Sequence, residues 1–314
     1  MSLVPDGLRQ AVLDDPGPGG APSGEAWLRA LPRVAEELLG HWALVRDGAP
    51  RHGVTALVLP VVQDDQGMPA ALKIVRPHPE ARQEHKALGV WAGRAAVRLL
   101  AADPARWALL LERLDPDRDL DGLGVLDSAE ELGRLLRALD RPAPPWAPRL
   151  SDRLTALVEQ AGAALSDPRA GRWLPRRMLQ RARSLAADLA TETGTDARLV
   201  HTDLHGRNVL WRPDPGEWVA IDPKVMAADR AYAVAPALWN RWGDALGAHD
   251  LRVHLTLRMD VLCDAAGIDG DRARALTTIR LVGNVLDALE HGPDRSWRSW
   301  VERAVPIVKA MEPG

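Results

Sequence analysis

At 314 residues, with 46% hydrophobic and 26% charged residues, the chain has the composition of an ordinary globular protein, long enough for one large domain or two lobes. A net charge of −3 offers no basic surface for nucleic acid, and a single cysteine, Cys263, excludes a disulfide framework and a cysteine-based zinc site. Neither a basic stretch leading into an apolar signal segment nor a run near the roughly 18 apolar residues of a membrane span occurs, so a cytoplasmic protein with no membrane partner is expected.

The first 24 residues, rich in Pro and Gly from Asp15 to Gly24, are expected to form a flexible arm. Trp27, Leu31, Val34 and Leu38 then recur at helical spacing, with Pro32 placed to restart the helix at a first-turn position. From His41 the period changes to two. Trp42 to Val45, Thr55 to Val62 and Ala70 to Val75 read as antiparallel strands, joined by a loop from Gly48 to Gly53 and a turn over Asp64, Asp65, Gln66 and Gly67. A helix is predicted over Pro79 to Trp91, and further strands over Val97 to Ala101 and Trp107 to Leu111. Residues 25–112 thus form a small antiparallel-sheet lobe with one helix laid on it.

Beyond Asp115 the pattern becomes helical. Ser128 with Glu131 reads as a capping box ahead of Leu132, Leu135, Leu136 and Leu139. Further helices are predicted over Ser151 to Leu165, Leu174 to Thr191, Asp229 to Trp242, Asp250 to Ala266, Asp271 to Glu290 and Arg295 to Met311. Among them sits a small β island, Leu199 to Trp211 and Val219 to Asp222. The fold class expected is α+β, with the larger, mostly helical lobe over residues 113–314.

The island presents Asp203, Asn208 and Asp222 from the ends of short strands. Three such side chains can divide three tasks. Asp203 orients or deprotonates an attacking hydroxyl, while Asn208 and Asp222 offer hard oxygen ligands to a Mg²⁺ ion bridging nucleotide phosphates. Each residue alone is explained as well by a tight turn, and only the combination points to chemistry. Lys73 interrupts an apolar strand and needs an anionic partner, which nucleotide phosphates and a helix glutamate would supply. Glu84 is the first choice and Glu80, one turn away, the second.

The strand Leu109 to Leu111 runs into Glu112, Arg113 and Leu114, where the backbone of Glu112 and Leu114 would receive an adenine. Gly48 and Gly53 suit a phosphate-covering loop or an ordinary hairpin equally. His201 and His205 bracket Asp203, but no further histidine completes a zinc set, and zinc leaves Lys73 and Asp222 without a role. For a cationic acceptor the C-terminal helices offer Asp260, Asp264, Asp287, Glu290 and Asp294, interspersed with arginines as on a solvated face. Trp239 to Trp242 is another candidate wall that reads more simply as core.

Taken in order, Ala71-Leu72-Lys73-Ile74, Leu88 to Trp91, Ala96 to Leu100, Leu109 to Leu114, His201 to Leu210 and Ala220-Ile221-Asp222-Pro223-Lys224 resemble the aminoglycoside phosphotransferases, kinases with a protein-kinase-like fold. The chain looks most similar to their streptomycin 6-kinase and hydroxyurea phosphotransferase branch. That resemblance implies that Asp203 is the catalytic-loop aspartate, Asn208 and Asp222 the metal ligands and Lys73 the phosphate-anchoring lysine. It also implies ATP, with GTP as the alternative, as donor to a hydroxyl of a small-molecule acceptor. Where the family commonly continues with a Gly-Asp-Pro-x-Tyr-Asp-like segment, this chain has Ala228-Asp229-Arg230-Ala231-Tyr232-Ala233. Arg230 and Ala233 therefore depart from the pattern ahead of the acceptor-binding helices. The alternative reading is a nucleotide-binding module that has kept the fold but lost transfer.

Overall fold

The computed structural model describes residues 3–14, 22–63, 67–167, 173–290 and 295–312. They form two compact units, Met1–Pro116 with Trp211–Lys224, and Asp117–Leu210 with Val225–Gly314. The boundary expected at residue 112 thus overlooked Trp211–Lys224, which carries Asp222 and groups with the N-terminal unit.

The first unit opens with helices α1 (Asp6–Asp14) and α2 (Gly24–His41). Leu8 and Val12, one turn apart on α1, share a core with Trp27, Leu28, Leu31, Ala35 and Leu38 of α2. The flexible arm is therefore corrected for residues 6–14: two apolar side chains on one helical face dock the segment. Residues 15–21, which hold most of the expected Pro and Gly cluster, lie outside the described residues. Pro32 does not restart a helix. It sits inside α2, which Ser23 caps by accepting the Ala26 N–H at 3.2 Å, and its cost is the one intrahelical bond it cannot donate.

Strands β1 (Leu44–Arg46), β2 (Arg51–His52), β3 (Ala56–Gln63), β4 (Pro69–Val75), β5 (Leu99–Asp103) and β6 (Ala108–Glu112) form an antiparallel sheet in the order β1-β3-β4-β6-β5, with β2 paired to β3. The register sets Leu57, Leu59 and Val61 opposite Ile74, Leu72 and Ala70, and sets Leu110 and Ala108 opposite Leu72 and Ile74. All belong to the core shared with α1 and α2. Alternation along β4 then sends Lys73 to the other face, toward α3 (Glu84–Trp91). The helix predicted from Pro79 begins only at Glu84, because Pro79–Ala81 is a separate 3-10 turn. Of the turn expected over residues 64–67, positions 64–66 lie outside the described residues.

Further short strands are β7 (Asp115–Asp119), β8 (Arg198–His201), β9 (Val209–Arg212), β10 (Glu217–Ala220) and β11 (Val225–Ala228). Within the first unit, Ala220 is bound on both sides by backbone: its N–H donates to Ala95 at 2.9 Å, and its carbonyl accepts from Val97 at 2.9 Å. That bond takes Val97 out of the strand predicted for it. Arg212, 5% exposed, completes the attachment. Its guanidinium reaches both Glu112 carboxylate oxygens at 2.5 and 3.1 Å, the Gly93 and Ala96 carbonyls at 3.0 Å each, and Glu217. Only arginine's planar fork of five donors serves so many acceptors at once.

The second unit is mainly helical: α4 (Val125–Ala138), α5 (Leu150–Ser166), α6 (Arg176–Ala190), α7 (Pro236–Trp239), α8 (Trp242–Gly247), α9 (Leu251–Ala266), α10 (Gly270–Glu290) and α11 (Arg295–Ala310). Helices α4 and α9 pack closely at Gly133, where an added Cβ would stand 2.4 Å from the Leu262 carbonyl oxygen. Ser128 is not a cap: α4 already begins at Val125, the Ser128 N–H donates to Gly124, and the side chain is buried. The single helix predicted over Asp229 to Trp242 is broken into a 3-10 turn, α7 and α8. Pro236 starts a new helix, and Arg241 adopts a left-handed φ of 52°.

Among the described residues no helix is long and apolar enough to cross a membrane. Cys263 on α9 is 3% exposed, and burial pushes its thiol up to about 12. A thiol reagent at about pH 8 should therefore leave the native protein unlabelled and titrate one thiol after denaturation. Rapid labelling of the native protein would contradict this packing of α9.

Candidate active site

In the first unit Lys73 is 7% exposed, with its ammonium 2.6 Å from Glu84 Oε1 and 2.6 Å from Asp222 Oδ1. Period two on β4 and the start of α3 at Glu84 bring the pair together. Glu80 is not the partner. It lies on the preceding 3-10 turn and pairs with Lys224 at 3.0 Å. Burial alone would favour neutral Lys73, but Asp222 and Glu84 outweigh it, and its pKa is raised. With all three groups ionised the cluster carries an excess negative charge. Burial, with Asp222 adding repulsion and Lys73 opposing it, pushes Glu84 up to about 7. The side chain of Asp222 is half exposed and its φ is 53°, a strained backbone for a non-glycine residue, costing on the order of 1 kcal/mol. The Ala220 hydrogen bonds and the Lys73 contact hold it there.

Glu112 ends β6 and Leu114 follows it, buried. The Glu112 N–H donates to the Arg98 carbonyl at 3.0 Å, and its carboxylate accepts the Arg98 N–H at 2.6 Å besides holding Arg212. Its side chain is therefore an architectural partner. Arg113 between them binds the Ala70 carbonyl at 2.9 Å, Asp47 at 2.9 Å and the Val61 carbonyl.

In the second unit β8 pairs with β11, His201 opposite Val225, and leads into the polar loop. His201 is buried beneath that loop, its Nδ1 accepting the Asp203 N–H at 3.2 Å. The Asn208 side-chain amide donates to the Asp203 carbonyl at 2.9 Å, which orients its oxygen as the end with cation-binding chemistry. Nε2 of His205 stands 4.0 Å from Asp203 Oδ1. Gly206 is tightly packed here: an added Cβ would lie 2.1 Å from Asp121 Oδ1 and 3.1 Å from the Asp121 backbone nitrogen, so Asp121 would have to give way.

Asp121 was missed in the sequence, although Asp115, Asp117, Asp119 and Asp121 alternate visibly ahead of the first predicted helix of the larger lobe. Burial first, then Asp119, raises its pKa, with Arg241, His205 and Arg207 opposing. The acids of the C-terminal helices, weighed as an acceptor wall but read more simply as a solvated face, have partners of their own: Asp260 with Arg274 at 2.8 Å, Asp287 with Arg153, and Glu290 with Gln160 at 3.2 Å. Among the described residues Asp264 shows no such side-chain pairing, and Asp294 lies outside them. Trp239 is buried, edge-on to Trp300 at 5.2 Å between ring centres. Arg230 binds the Ala266 carbonyl at 2.5 Å and Asp229 binds Arg272 at 2.8 Å, so the departing segment is used to seat itself on α9 and α10.

Among the described residues no three of His, Cys, Asp and Glu gather as a metal set, so the zinc reading finds no third ligand. The Asn208 amide oxygen and the Asp222 carboxylate are hard donors of the kind Mg²⁺ takes.

A profile of the aminoglycoside/hydroxyurea antibiotic resistance kinases matches residues 41–290. The streptomycin 6-kinase of Streptomyces glaucescens is 39% identical over 274 residues, 86% of each chain. The hydroxyurea phosphotransferase of Kitasatospora aureofaciens is 40% identical over 281 residues, 87% of this chain and 77% of that one. Among solved structures, the aminoglycoside phosphotransferase APH(4)-Ia superposes with a TM-score of 0.56 at 15% identity, covering 89% of this chain and 99% of that one. Ethanolamine kinase of Plasmodium vivax gives 0.53 at 12% identity, covering 90% and 86%. At such identities the likeness is one of fold, and it is the α+β, protein-kinase-like fold expected.

Replacing Gly206 with alanine should cost about 1–3 kcal/mol, read as a lowered denaturation midpoint, because the Asp121 carboxylate must turn away and its backbone is already in tight contact; an unchanged midpoint would contradict the contact. Glu84 tests the buried cluster. Its raised pKa means that the folded state holds this proton more tightly than the unfolded chain, a contribution present at acid pH and lost as pH rises through about 7. The stability advantage of wild type over Glu84→Gln should therefore shrink between about pH 5 and about pH 8 in denaturant titrations.

Proposed function

The chain belongs to the aminoglycoside/hydroxyurea antibiotic resistance kinases, and we propose that it transfers the γ-phosphate of ATP to a hydroxyl of an antibiotic-like acceptor in the cytoplasm. The observation that carries this reading is the buried Lys73 held between Glu84 and Asp222 at 2.6 Å each. A strand lysine kept cationic and aimed by two carboxylates is suited to anchor phosphates, with Glu84 fixing its direction. The backbone of Glu112 and Leu114 receives the adenine. Asn208 and Asp222 give oxygen ligands to Mg²⁺, which when bound supplies the positive charge that offsets charge building on the transferred phosphoryl. Asp203 orients the acceptor hydroxyl and takes up its proton. In keeping with this reading, APH(4)-Ia has been solved with ADP and hygromycin B.

For the acceptor, relatives divide between a streptomycin 6-kinase and a hydroxyurea phosphotransferase.

The test is ATP consumption in the presence of streptomycin, other aminoglycosides and hydroxyurea, with mass spectrometry locating the added phosphate. Asp203→Ala should lower turnover roughly a hundredfold to ten-thousandfold while nucleotide binding stays measurable. Unchanged phosphorylation by that variant would sink the role of Asp203. Nucleotide binding without transfer to any of these acceptors would instead favour the non-catalytic module.

A further inference from the structure

Arg280 lies in the middle of α10, 78 residues from the polar loop that it touches. One arm of its guanidinium donates to the Tyr232 carbonyl at 3.0 Å and the other to the Thr202 carbonyl. Its central carbon stands 4.7 Å from the centre of the Tyr232 ring and 4.9 Å from that of Trp239. The Thr202 carbonyl and the Asp203 N–H belong to one peptide plane. That plane is held at both edges, by Arg280 on the oxygen and by His201 Nδ1 on the N–H at 3.2 Å. The next plane is held through the Asp203 carbonyl by Asn208 at 2.9 Å.

We propose that Arg280 is a positioning residue for phosphoryl transfer: by clamping the peptide ahead of Asp203 it fixes the direction of the Asp203 carboxylate. This rests on the reading in which Asp203 acts on the acceptor hydroxyl. The two aromatic faces fix the plane of the guanidinium, and its fork joins the segments that follow β8 and β11. Lysine, a single ammonium on a flexible stem, cannot reproduce that planar bridge. A carboxylate that wanders by about an ångström loses rate in proportion to the time spent misaligned, while binding elsewhere is untouched.

Arg280→Lys and Arg280→Gln should be compared with wild type and Asp203→Ala for kcat, acceptor KM, nucleotide affinity and thermal midpoint. Both substitutions should lower kcat roughly tenfold to a hundredfold while nucleotide affinity stays within about twofold. In Arg280→Ala, added guanidinium ion should restore part of kcat and methylammonium should not. Combined with Asp203→Ala, Arg280→Lys should cost little more, because both act through one carboxylate. The proposal is overturned if Arg280→Lys keeps kcat within about twofold of wild type. It is equally overturned if the same fold-loss recurs in the Asp203→Ala background, or if the loss follows the thermal midpoint and guanidinium does not reverse it. A wild-type protein that transfers no phosphate would instead sink the kinase reading itself, and this inference with it.

Discussion

A lysine in the interior of a buried strand cannot be left without anions, and much of the first unit satisfies that constraint at Lys73. Its ammonium loses water on burial, a cost of several kcal/mol unless charge is returned nearby, and Glu84 and Asp222 return it at 2.6 Å each. Helix α3 must then start where Glu84 can reach β4, and the segment carrying Asp222 must be fastened to the same unit. Arg212 and the hydrogen bonds at Ala220 do the fastening, the former through Glu112. Such an arrangement adds little net stability, since desolvation offsets attraction. What it secures is geometry: one ammonium, two carboxylates and one strained backbone at Asp222.

Arginine carries the same kind of duty elsewhere. Arg113 gathers the Ala70 and Val61 carbonyls, Arg258 those of Ala237 and Asn240, Arg230 that of Ala266, and Arg280 those of Thr202 and Tyr232. Carbonyls at strand ends and helix termini have no partner of their own within the element, and a guanidinium fork satisfies two of them from one side chain. The arrangement has costs of its own. Burial, with Arg241 adding like charge, lowers Arg258 to about 10. In the loop around Asp203 the reward is rigidity, with both flanking peptide planes held and Gly206 pressed against Asp121.

The expectations that failed share a cause. Ser128 has the spacing of a capping box, yet α4 had already begun a turn earlier. Asp229 to Trp242 has helical composition, yet Pro236 and the left-handed Arg241 divide it. Arg280, by contrast, left a trace of the kind that exposed Lys73: a charge inside a run of buried residues, Leu276 to Ile279 before it and Leu281 and Val282 after it.

By itself the sequence determined the α+β class, the strand that carries Lys73 and the spacing of Asp203, Asn208 and Asp222, because alternation and loop motifs are properties of neighbours along one chain. It also determined the family, through the order of those motifs. Only the tertiary structure decided that Lys73 meets Asp222 across 149 residues, that α1 is docked core, that Asp121 lies beside Gly206, and that Arg280 grips the peptide before Asp203. Those are contacts between segments distant in the chain, and they exist only once burial has brought the segments together.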